Sequence, residues 1–434
     1  MRLRRPVQDG DTTQGWRPGD REQVAVVSFS HAIQHSYVAV LGIAYPFVLA
    51  SFHTTYAVLG VILSATGLAG GLLQGLAGVV RRFSARAMLS AQNFGMAIAS
   101  IFGALAPGIG LFAAARLLGT VTSWPQHPVG SAHLTERVPH RRGLVLAAHT
   151  TGGNLGTLLA PLLGATVIAL AGWRVALAVT GALLAAGSLL TWARVRPLEA
   201  KAGAALVGRG EPDGVADASG GYGTRVPLRQ ALRRRRALAV LGAGVISGAG
   251  RGLGVLTTYM PAYLHDGLHE SALTLGAVMT VVSIGAVFGP MLWGHLSDVV
   301  GRRPVLYGLY ACGALALGSF VLVGSNVVLI GAVGLCVGVF TYSEQPIRQA
   351  LFADSMQGVA ARTAFAAYFG LSQSLGALWL VVIGFLITDV GYRPAFFVMG
   401  GSFVVAAAVI ALFAREPRGP SPEPLPAPLN LEVQ

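Results

Sequence analysis

The stretch GHLSDVVGRRPVL, Gly294–Leu306, places one acid and two arginines between two long apolar runs. Each of these runs reaches about 20 residues, the length that a helix needs to cross the hydrocarbon core of a bilayer. A short charged segment between two such runs is typical of a loop at a membrane surface. The fold therefore depends on how many runs of this kind the chain contains and on how its charged loops are distributed.

The composition of the whole chain supports a membrane protein. Of its 434 residues, 53% are hydrophobic and only 11% are charged, whereas a soluble domain carries roughly 25% charged residues. The formal net charge of +13 would suggest a nucleic acid partner in a soluble protein. Here the arginines stand in short loops between apolar runs, so we expect them to set the orientation in the membrane, with no nucleic acid partner.

Twelve apolar runs can be distinguished, and a polar segment separates six from six. The predicted fold class is an all-α membrane protein with 12 transmembrane helices, in an N-terminal six-helix bundle at 22–195 and a C-terminal one at 237–414. The segment 196–236, rich in glycine and arginine, is predicted to be a flexible cytoplasmic linker, and 1–21 and 415–434 are predicted to be cytoplasmic tails. The runs are 22–50, 56–79, 87–106, 108–128, 143–170, 172–195, 237–263, 272–296, 303–324, 326–348, 363–389 and 392–414.

The distribution of arginine predicts the orientation. Basic residues cluster after spans 2, 4 and 8 and before span 7, whereas the opposite loops carry essentially Arg174 and Arg393. Because basic loops stay on the cytoplasmic side, we expect a multi-pass protein of the inner (plasma) membrane with both termini in the cytoplasm. The arginines of the basic loops are Arg81, Arg82, Arg86, Arg137, Arg141, Arg142, Arg233, Arg234, Arg235, Arg236, Arg302 and Arg303.

Sequence landmarks of the first half recur in the second. GWRVA begins at Gly172 and GYRPA at Gly391, a separation of 391 − 172 = 219 residues. Gly75 and Gly294, which open two charged loops, have the same separation. With six spans in each half, the second half keeps the orientation of the first. We therefore predict a parallel repeat about an axis along the membrane normal, with a central pathway between the halves.

With this topology, the opening stretch lies on the cytoplasmic side between spans 8 and 9, and there the sequence resembles the major facilitator superfamily. The signature of that family in this loop is G-x-x-x-D-x-x-G-R-R/K, and it stands complete as Gly294, Asp298, Gly301, Arg302 and Arg303. An acid at a helix end can hold an arginine and the start of a neighbouring helix. We therefore expect a gating latch at Asp298 that releases when the halves move, with a simple basic anchor as the alternative.

Three further segments resemble motifs of this superfamily. The first-half copy of the signature keeps its glycine, Arg81 and Arg82 but has no acid, so the latch is expected in one half only. ARLLG, which contains Arg116, resembles the arginine motif of span 4. GTLLAPLLG at 156–164 resembles the glycine-proline motif of span 5, which is often associated with antiporters, although Ala160 replaces the usual glycine.

The first half also resembles the fosmidomycin-resistance branch of the superfamily. That branch carries Ser-x-x-His in span 1, His-Pro at the end of span 4 and Gly-Gly-Asn-x-Gly in span 5. The corresponding residues are Ser28, His31, His127, Pro128, Gly152, Gly153, Asn154 and Gly156. His35 stands where the branch tends to have an acid, and Val129 and Gly130 follow His-Pro where an acid is expected. The resemblance implies drug or metabolite export, while these departures leave its substrate and coupling sites open here.

Ionisable side chains within the spans are the candidates for a substrate and proton pathway, because a charge inside a bilayer is costly. His31 and His35 are four residues apart and share one helix face. They could carry protons, bind substrate, bind a metal ion or be hydrogen-bonded structural residues. No cysteine or acid stands near them, so no metal site is expected. The candidates are His31, His35, Arg116, His127, His149, Asn154, Arg251, Glu344 and Arg348.

Arg116 and Glu344 are the candidates from spans 4 and 10. Arg116 keeps its charge and needs a carbonyl, an acid or an anionic substrate. Glu344 is the only acid well inside a span, so it is the candidate carboxylate for proton binding, and a salt bridge to Arg348 at i+4 is the alternative. Because spans 4 and 10 are equivalent in the repeat, both side chains are expected to face the central pathway. Arg251, in the glycine-rich part of span 7, could line that pathway or lie near a span end.

Two functions remain open from the sequence. A proton-coupled exporter working by alternating access, an efflux antiporter of the drug-resistance type, is favoured by the span-5 segment and the branch resemblance. A proton symporter importing a carboxylate or phosphonate is favoured by the arginines. A sensor and an enzyme are not expected, because the sequence has no appended soluble domain, no nucleotide-binding glycine loop and no HExxH. The expected partners are a small-molecule substrate, protons and the lipid bilayer, with no cofactor and with a monomer as the working unit.

Overall fold

The computed structural model describes residues 16–75, 83–196, 215–216, 222–223, 226–356, 359 and 368–414. This part of the chain is almost entirely helical, which confirms the all-α fold class. Its α-helices are α1 Asp20–Ser51, α2 Tyr56–Gly75, α3 Ala85–Leu105, α4 Ile109–Ser123, α5 Ser131–Arg137, α6 Arg142–Arg194, α7 Leu228–Leu232, α8 Arg235–Ile246, α9 Thr257–Ala262, α10 Ala272–Val300, α11 Arg302–Phe320, α12 Val327–Ser355, α13 Ser374–Gly376, α14 Leu378–Asp389 and α15 Tyr392–Phe413.

Short tighter or wider helical turns connect several of these helices. The 3₁₀ turns are Pro139–Arg141 and Ser247–Gly250, and the π turns are Gln126–Gly130, Gly252–Leu256, Tyr263–Gly267 and Phe369–Gln373. The turns between α8 and α9 break predicted span 7, as its glycines SGAGRGLG suggest. A π turn also separates α4 from α5, so the helical path of span 4 extends to Arg137 and not only to residue 128 as predicted.

Nine stretches of the described chain are long and apolar enough to cross a membrane. One of them, α6, has 53 residues, and the non-helical backbone of Gly172 divides it into two parts. These parts correspond to predicted spans 5 and 6. The described path through α4 and α5 corresponds to span 4, and α11 corresponds to span 9. The twelve predicted spans therefore each have a helical counterpart in the described residues.

The backbone at Gly172 and Gly391 supports the predicted repeat. Gly172 has φ 84° and ψ 166°, and Gly391 has φ 101° and ψ 178°. Glycine adopts this positive-φ conformation far more readily than other residues. The two glycines were matched in sequence by their separation of 219 residues, and they now mark the same bend between the last two spans of each half. The same landmark therefore produces the same chain reversal in both halves.

The two halves meet toward the end of the bundle opposite the amino terminus. There the hydroxyl of Tyr56, at the start of α2, donates to Asp266 at 2.5 Å. Further along α2, Ser64 Oγ donates to the carbonyl of Ala377, just before α14, at 2.6 Å. A Cβ on Gly67 would lie 2.7 Å from Cβ of Ala377. Small residues thus let the first and second halves approach at backbone distance along α2 and α14.

The predicted linker 196–236 lies largely outside the described residues. Its described part contains a two-residue antiparallel pair, in which Val215 pairs with Gly223 and Ala216 with Tyr222, followed by α7 and the start of α8. The flexible linker stays a prediction, because most of 196–236 lies outside the described residues. The arginines of the first-half signature copy, Arg81 and Arg82, lie outside the described residues, as do 1–15 and 415–434.

A disulfide cross-link tests the contact between the halves. In a background with Cys312 and Cys336 replaced by serine, the pair Gly67→Cys and Ala377→Cys should cross-link under mild oxidation. Disulfide-linked residues have Cβ atoms about 3.5–4.5 Å apart, so a small outward shift suffices. The readout is loss of labelling by a maleimide mass tag after denaturation.

The matched control pairs Gly67→Cys with Gly331→Cys, because a Cβ on Gly331 has no neighbour within 4 Å. This pair should keep both thiols free for the mass tag. Equal labelling of the two pairs after oxidation would contradict the contact between α2 and the start of α14.

Candidate functional site

Four of the predicted histidines come together in the first half. His31 and His35 lie on α1, His127 in the π turn after α4 and His149 on α6. The ring centre of His31 lies 4.6 Å from that of His35, 4.8 Å from that of His127 and 4.3 Å from that of His149. His31 and His149 are buried, His35 is half-buried and His127 is exposed. We call these four residues the histidine cluster.

Glycines on α6 make room for the histidine cluster. A Cβ on Gly152 or Gly156 would lie 2.3 or 2.0 Å from a main-chain carbonyl oxygen of α1, so only glycine permits this approach. A Cβ on Gly153 would lie 2.7 Å from the ring of His31. The Gly-Gly-Asn-x-Gly segment therefore packs α6 against α1. Asn154 is half-buried beside it and forms no hydrogen bond with another described residue.

One hydrogen bond of the cluster determines which ring nitrogen of His31 carries the hydrogen. Nδ1 of His31 lies 2.8 Å from the carbonyl oxygen of His149, and a carbonyl can only accept, so Nδ1 carries the hydrogen. Nε2 of His31 then presents a lone pair, and no described residue donates a hydrogen bond to it. Nδ1 of His35 lies 2.9 Å from the hydroxyl of Thr157. An unsatisfied polar atom inside a protein costs free energy, about 1–3 kcal/mol.

A network of buried amides adjoins the histidine cluster. Asn93 donates to the hydroxyl of Ser30 at 2.9 Å, and that hydroxyl donates to the side-chain oxygen of Gln126 at 3.1 Å. Gln92 donates to the same oxygen at 2.9 Å. Gln126 directly precedes His127, so the network holds the π turn against α1 and α3. Sequence reasoning missed these residues, although polar amides within apolar runs were the available signal.

Arg116 lies on α4 and is half-buried. Its Nη1 donates to the hydroxyl of Tyr37 on α1 at 3.4 Å, and its Cζ lies 5.8 Å from the centre of that ring. Its described contacts are thus with its own half. The structure gives Arg116 polar partners, as its permanent charge requires, and these are the hydroxyls of Tyr37 and Tyr45 on α1.

Glu344 lies at the centre of a cluster in the second half. Arg348 donates to both of its oxygens, from Nε at 2.8 Å and from Nη2 at 3.0 Å. The hydroxyl of Tyr310 donates to Oε2 at 3.3 Å, and Nε of Arg251 lies 3.9 Å from Oε1. Glu344 and Arg348 have no exposed surface. The i, i+4 salt bridge that the sequence left as an alternative is therefore present, and we call these four residues the carboxylate-arginine cluster.

The break in span 7 brings Arg251 to this cluster. Arg251 has extended φ −68° and ψ 134° between two non-α turns, and its Nη2 donates to the carbonyl of Gly244 at 2.6 Å. The buried acids among the described residues are Asp20, which pairs with Arg137, and Glu344. The carboxylate-arginine cluster thus joins two guanidinium groups to one carboxylate, so its formal charge is +1 when Glu344 is ionised.

The two clusters occupy equivalent places in the repeat. His149 and Tyr368 are 368 − 149 = 219 residues apart, as are Gly153 and Ser372. His31 lies against His149 and Gly153 in the first half. Arg348 lies against Tyr368 and Ser372 in the second half. The Cζ of Arg348 is 5.5 Å from the ring centre of Tyr368, and its Nη1 is 3.4 Å from Ser372 Oγ. The expected meeting of Arg116 and Glu344 across the pathway is not among the described contacts, because each side chain bonds within its own half.

The predicted latch has a different acidic partner. Gly301 has φ 103° and separates α10 from α11, and Arg302 pairs with Asp354 at the end of α12. Arg303 donates to the hydroxyl of Tyr307 at 2.9 Å. Asp298 is exposed and forms no ion pair with another described residue. In this conformation Arg302 pairs with α12 and not with Asp298, so a latch at Asp298 that releases when the halves move stays a prediction. Gly294 lies on α10 four residues before Asp298.

Comparison with known proteins agrees with this architecture. The sequence matches the Major Facilitator Superfamily over residues 27–379 and 252–432. The chain belongs to this superfamily. A D-galactonate transporter of Escherichia coli O6:H1 is 23% identical over 405 residues, which are 87% of this chain and 92% of that protein. The solved structure of the nucleoside transporter NupG has a TM-score of 0.71 at 15% identity and covers 92% of this chain and 100% of that one.

A closer but shorter match is the proline/betaine transporter of Salmonella typhimurium. It is 42% identical over 82 residues, and the match spans only 16% of that protein and 19% of this chain. The chain thus spans about a sixth of the length of this relative, and both relatives are named as transporters of small solutes. The finer resemblance to the fosmidomycin-resistance branch is not shown by these matches and stays a prediction.

The burial of Glu344 predicts a large stability effect. Glu344→Ala should lower the free energy of unfolding by about 3–5 kcal/mol, because it leaves buried guanidinium charges uncompensated. The matched control is Asp354→Ala on the same helix, which removes the partner of Arg302 in a partly exposed pair and should cost no more than about 1 kcal/mol. Unfolding in detergent, followed by tryptophan fluorescence, measures both variants. Equal losses of unfolding free energy in the two variants would show that water solvates Glu344.

Proposed function

We propose that this transporter is a proton symporter of a small organic anion, and that the carboxylate-arginine cluster is its anion and proton site. The observation that carries the proposal is the sharing of one buried carboxylate by two buried guanidinium groups. Guanidinium groups bind carboxylates in a bidentate manner, and Arg348 already binds Glu344 in this way. A substrate carboxylate can therefore take the place of the Glu344 carboxylate.

Protonation of Glu344 is the step that allows this exchange. A neutral carboxyl group is a weaker acceptor for Arg348 than a carboxylate, and its protonation raises the formal charge of the cluster from +1 to +2. An entering carboxylate restores +1, so the buried charge is the same before and after the exchange. The charged groups that face Glu344 are Arg348 and Arg251, and the hydroxyl of Tyr310 also donates to it.

This charge relation favours symport over antiport. Because the proton releases the arginines, a bound proton raises the affinity for the anion, and by linkage a bound anion raises the affinity for the proton. Anion and proton then bind together and cross together. An antiporter needs the opposite relation, in which proton and substrate exclude each other. The inward proton gradient would therefore drive uptake of the anion.

The relatives support an organic acid as the substrate. The match that covers most of the chain is named for D-galactonate, a sugar acid, and the short match is named for proline and betaine, which also carry a carboxylate. Arg116 adds a third guanidinium group, in the first half, whose described side-chain partners are the hydroxyls of Tyr37 and Tyr45. A small carboxylate is thus the substrate class that both halves can attract.

The contact between α2 and α14 gives the conformation a place in the transport cycle. If the basic loops and both termini face the cytoplasm, the closed end lies at the outer surface of the inner membrane. The described state is then closed to the outside, with Tyr56 and Asp266 joining the halves there. Separation of the halves at this contact, as they rock, would open the outer side, and the clusters between the ends would be reached from each side in turn.

Drug export, including the fosmidomycin-resistance type, is the competing proposal. It rests on the glycine-proline segment of span 5 and on the resemblance of the first half to the fosmidomycin-resistance branch. In the structure this segment contacts neighbouring helices: Gly156 meets α1, and a Cβ on Gly276 of α10 would lie 2.9 Å from the carbonyl oxygen of Pro161. These contacts account for the segment by packing. The charge relation at Glu344 is the observation that favours symport of an anion.

Replacement of Glu344 by glutamine tests the proposed coupling. Glu344→Gln mimics the protonated state, so it should bind and exchange the anion while losing accumulation driven by a pH gradient. Uptake is measured in proteoliposomes whose outside pH is lower than the inside pH. The panel contains D-galactonate, other carboxylates, neutral sugars and cationic drugs. Wild-type protein should accumulate carboxylates only.

Asp354→Asn is the matched control, because it neutralises a partly exposed acid on the same helix, and it should keep gradient-driven accumulation. Full accumulation by Glu344→Gln would assign the proton to another residue and overturn the proposed coupling. Extrusion of cationic drugs by the wild type, with no movement of carboxylates, would instead support the exporter.

A further inference from the structure

The histidine cluster takes no part in the proposed exchange at Glu344, so its role remains to be assigned. Three of its members, His31, His127 and His149, each offer a ring nitrogen, and these atoms all lie within 4.8 Å of one another. They come from α1, the π turn after α4 and α6, so the fold, and not local spacing, brings them together. No metal site was expected from the sequence, because no cysteine or acid stands near His31 and His35.

The hydrogen bonds prepare one of these nitrogens as a ligand. Nδ1 of His31 donates to the carbonyl of His149 at 2.8 Å, which leaves Nε2 as a free lone pair. This atom is buried, no described residue donates a hydrogen bond to it, and the His31 side chain is only 3% exposed. Metal-binding histidines commonly donate their second nitrogen to a carbonyl in this way, which fixes the tautomer and the direction of the ring.

We propose that His31, His127 and His149 form a binding site for one divalent transition-metal ion of the zinc class. Imidazole nitrogen suits zinc, copper and nickel, while the oxygen-preferring ions calcium and magnesium have no carboxylate ligand among these three residues. The site is independent of the carboxylate-arginine cluster, so it does not depend on the proposed symport.

The geometry needs a modest adjustment to bind the ion. Zinc-nitrogen bonds of about 2.0–2.1 Å in a tetrahedron place ligand nitrogens about 3.3 Å apart. The three nitrogens must therefore close by up to about 1.5 Å, and His127, the exposed member, has room to rotate. Its exposed side also provides the entry path for the ion. His35, whose ring centre is 4.6 Å from that of His31, or water can take the fourth position.

A bound ion would join three elements of the first half. It would tie α1 and α6 to the π turn that the amide network of Gln126 already holds. Because the ion would bind only the folded arrangement, it should raise the stability of the protein in proportion to its concentration. The expected role is therefore to fix the first half, or to slow its motion when the ion is present.

The test measures Zn²⁺ and Co²⁺ binding to the purified protein after removal of any affinity tag. Wild-type protein should bind one ion, Co²⁺ should give the intense visible bands of tetrahedral coordination, and Zn²⁺ should raise the unfolding midpoint. Replacement of a ligand should weaken binding by at least about tenfold, the lower limit observed for loss of outer-shell partners. His127→Gln is the main variant, because its exposed ring makes misfolding the least concern, and His31→Gln is the second.

The matched control is His295→Gln, an exposed histidine on α10, which should bind Zn²⁺ as the wild type does. Unfolding midpoints without metal report whether each variant is folded. The proposal is overturned if the wild type binds no ion, if folded His127→Gln binds with unchanged affinity, or if His295→Gln loses the site.

Discussion

One carboxylate shared by two guanidinium groups is the constraint on which the second half depends. Glu344, Arg348 and Arg251 are all buried, and burying charges is costly unless they remain paired. Removing or protonating the carboxylate would upset this balance, and this is the physical basis of the proposed exchange with an anion. Arg251 can reach Glu344 because the glycine-rich break of span 7 gives Arg251 an extended backbone, which a continuous helix would not allow.

The internal repeat gives the first half a matching position with different chemistry. Where Arg348 contacts Tyr368 and Ser372 in the second half, His31 contacts His149 and Gly153 in the first. One half therefore holds two guanidinium groups around one carboxylate, and the other holds imidazoles beside an amide network. The repeat thus places different chemistry at matching positions. In our proposals, the second half carries the coupling chemistry, and the first half is a framework that a metal ion would stiffen.

The sequence predicted much of the fold and part of the site. Apolar length gave the spans, the 219-residue separation of Gly172 and Gly391 gave the repeat, and the i, i+4 spacing revealed the Glu344–Arg348 pair as an alternative. Contacts between distant spans, such as His31 with His149 or Arg302 with Asp354, could not be predicted. They depend on how each helix is rotated about its axis, and a helix that is apolar on all sides carries little information about that rotation.

Proton uptake during anion binding tests the central claim most directly. Purified protein in weakly buffered detergent solution near neutral pH is titrated with a carboxylate that it transports, and the pH change is recorded with the amount of anion bound. The account predicts that wild-type protein takes up about one proton for each anion at saturation, in the limit where Glu344 starts ionised and ends protonated. Binding of the anion by the wild type with no proton uptake would contradict it.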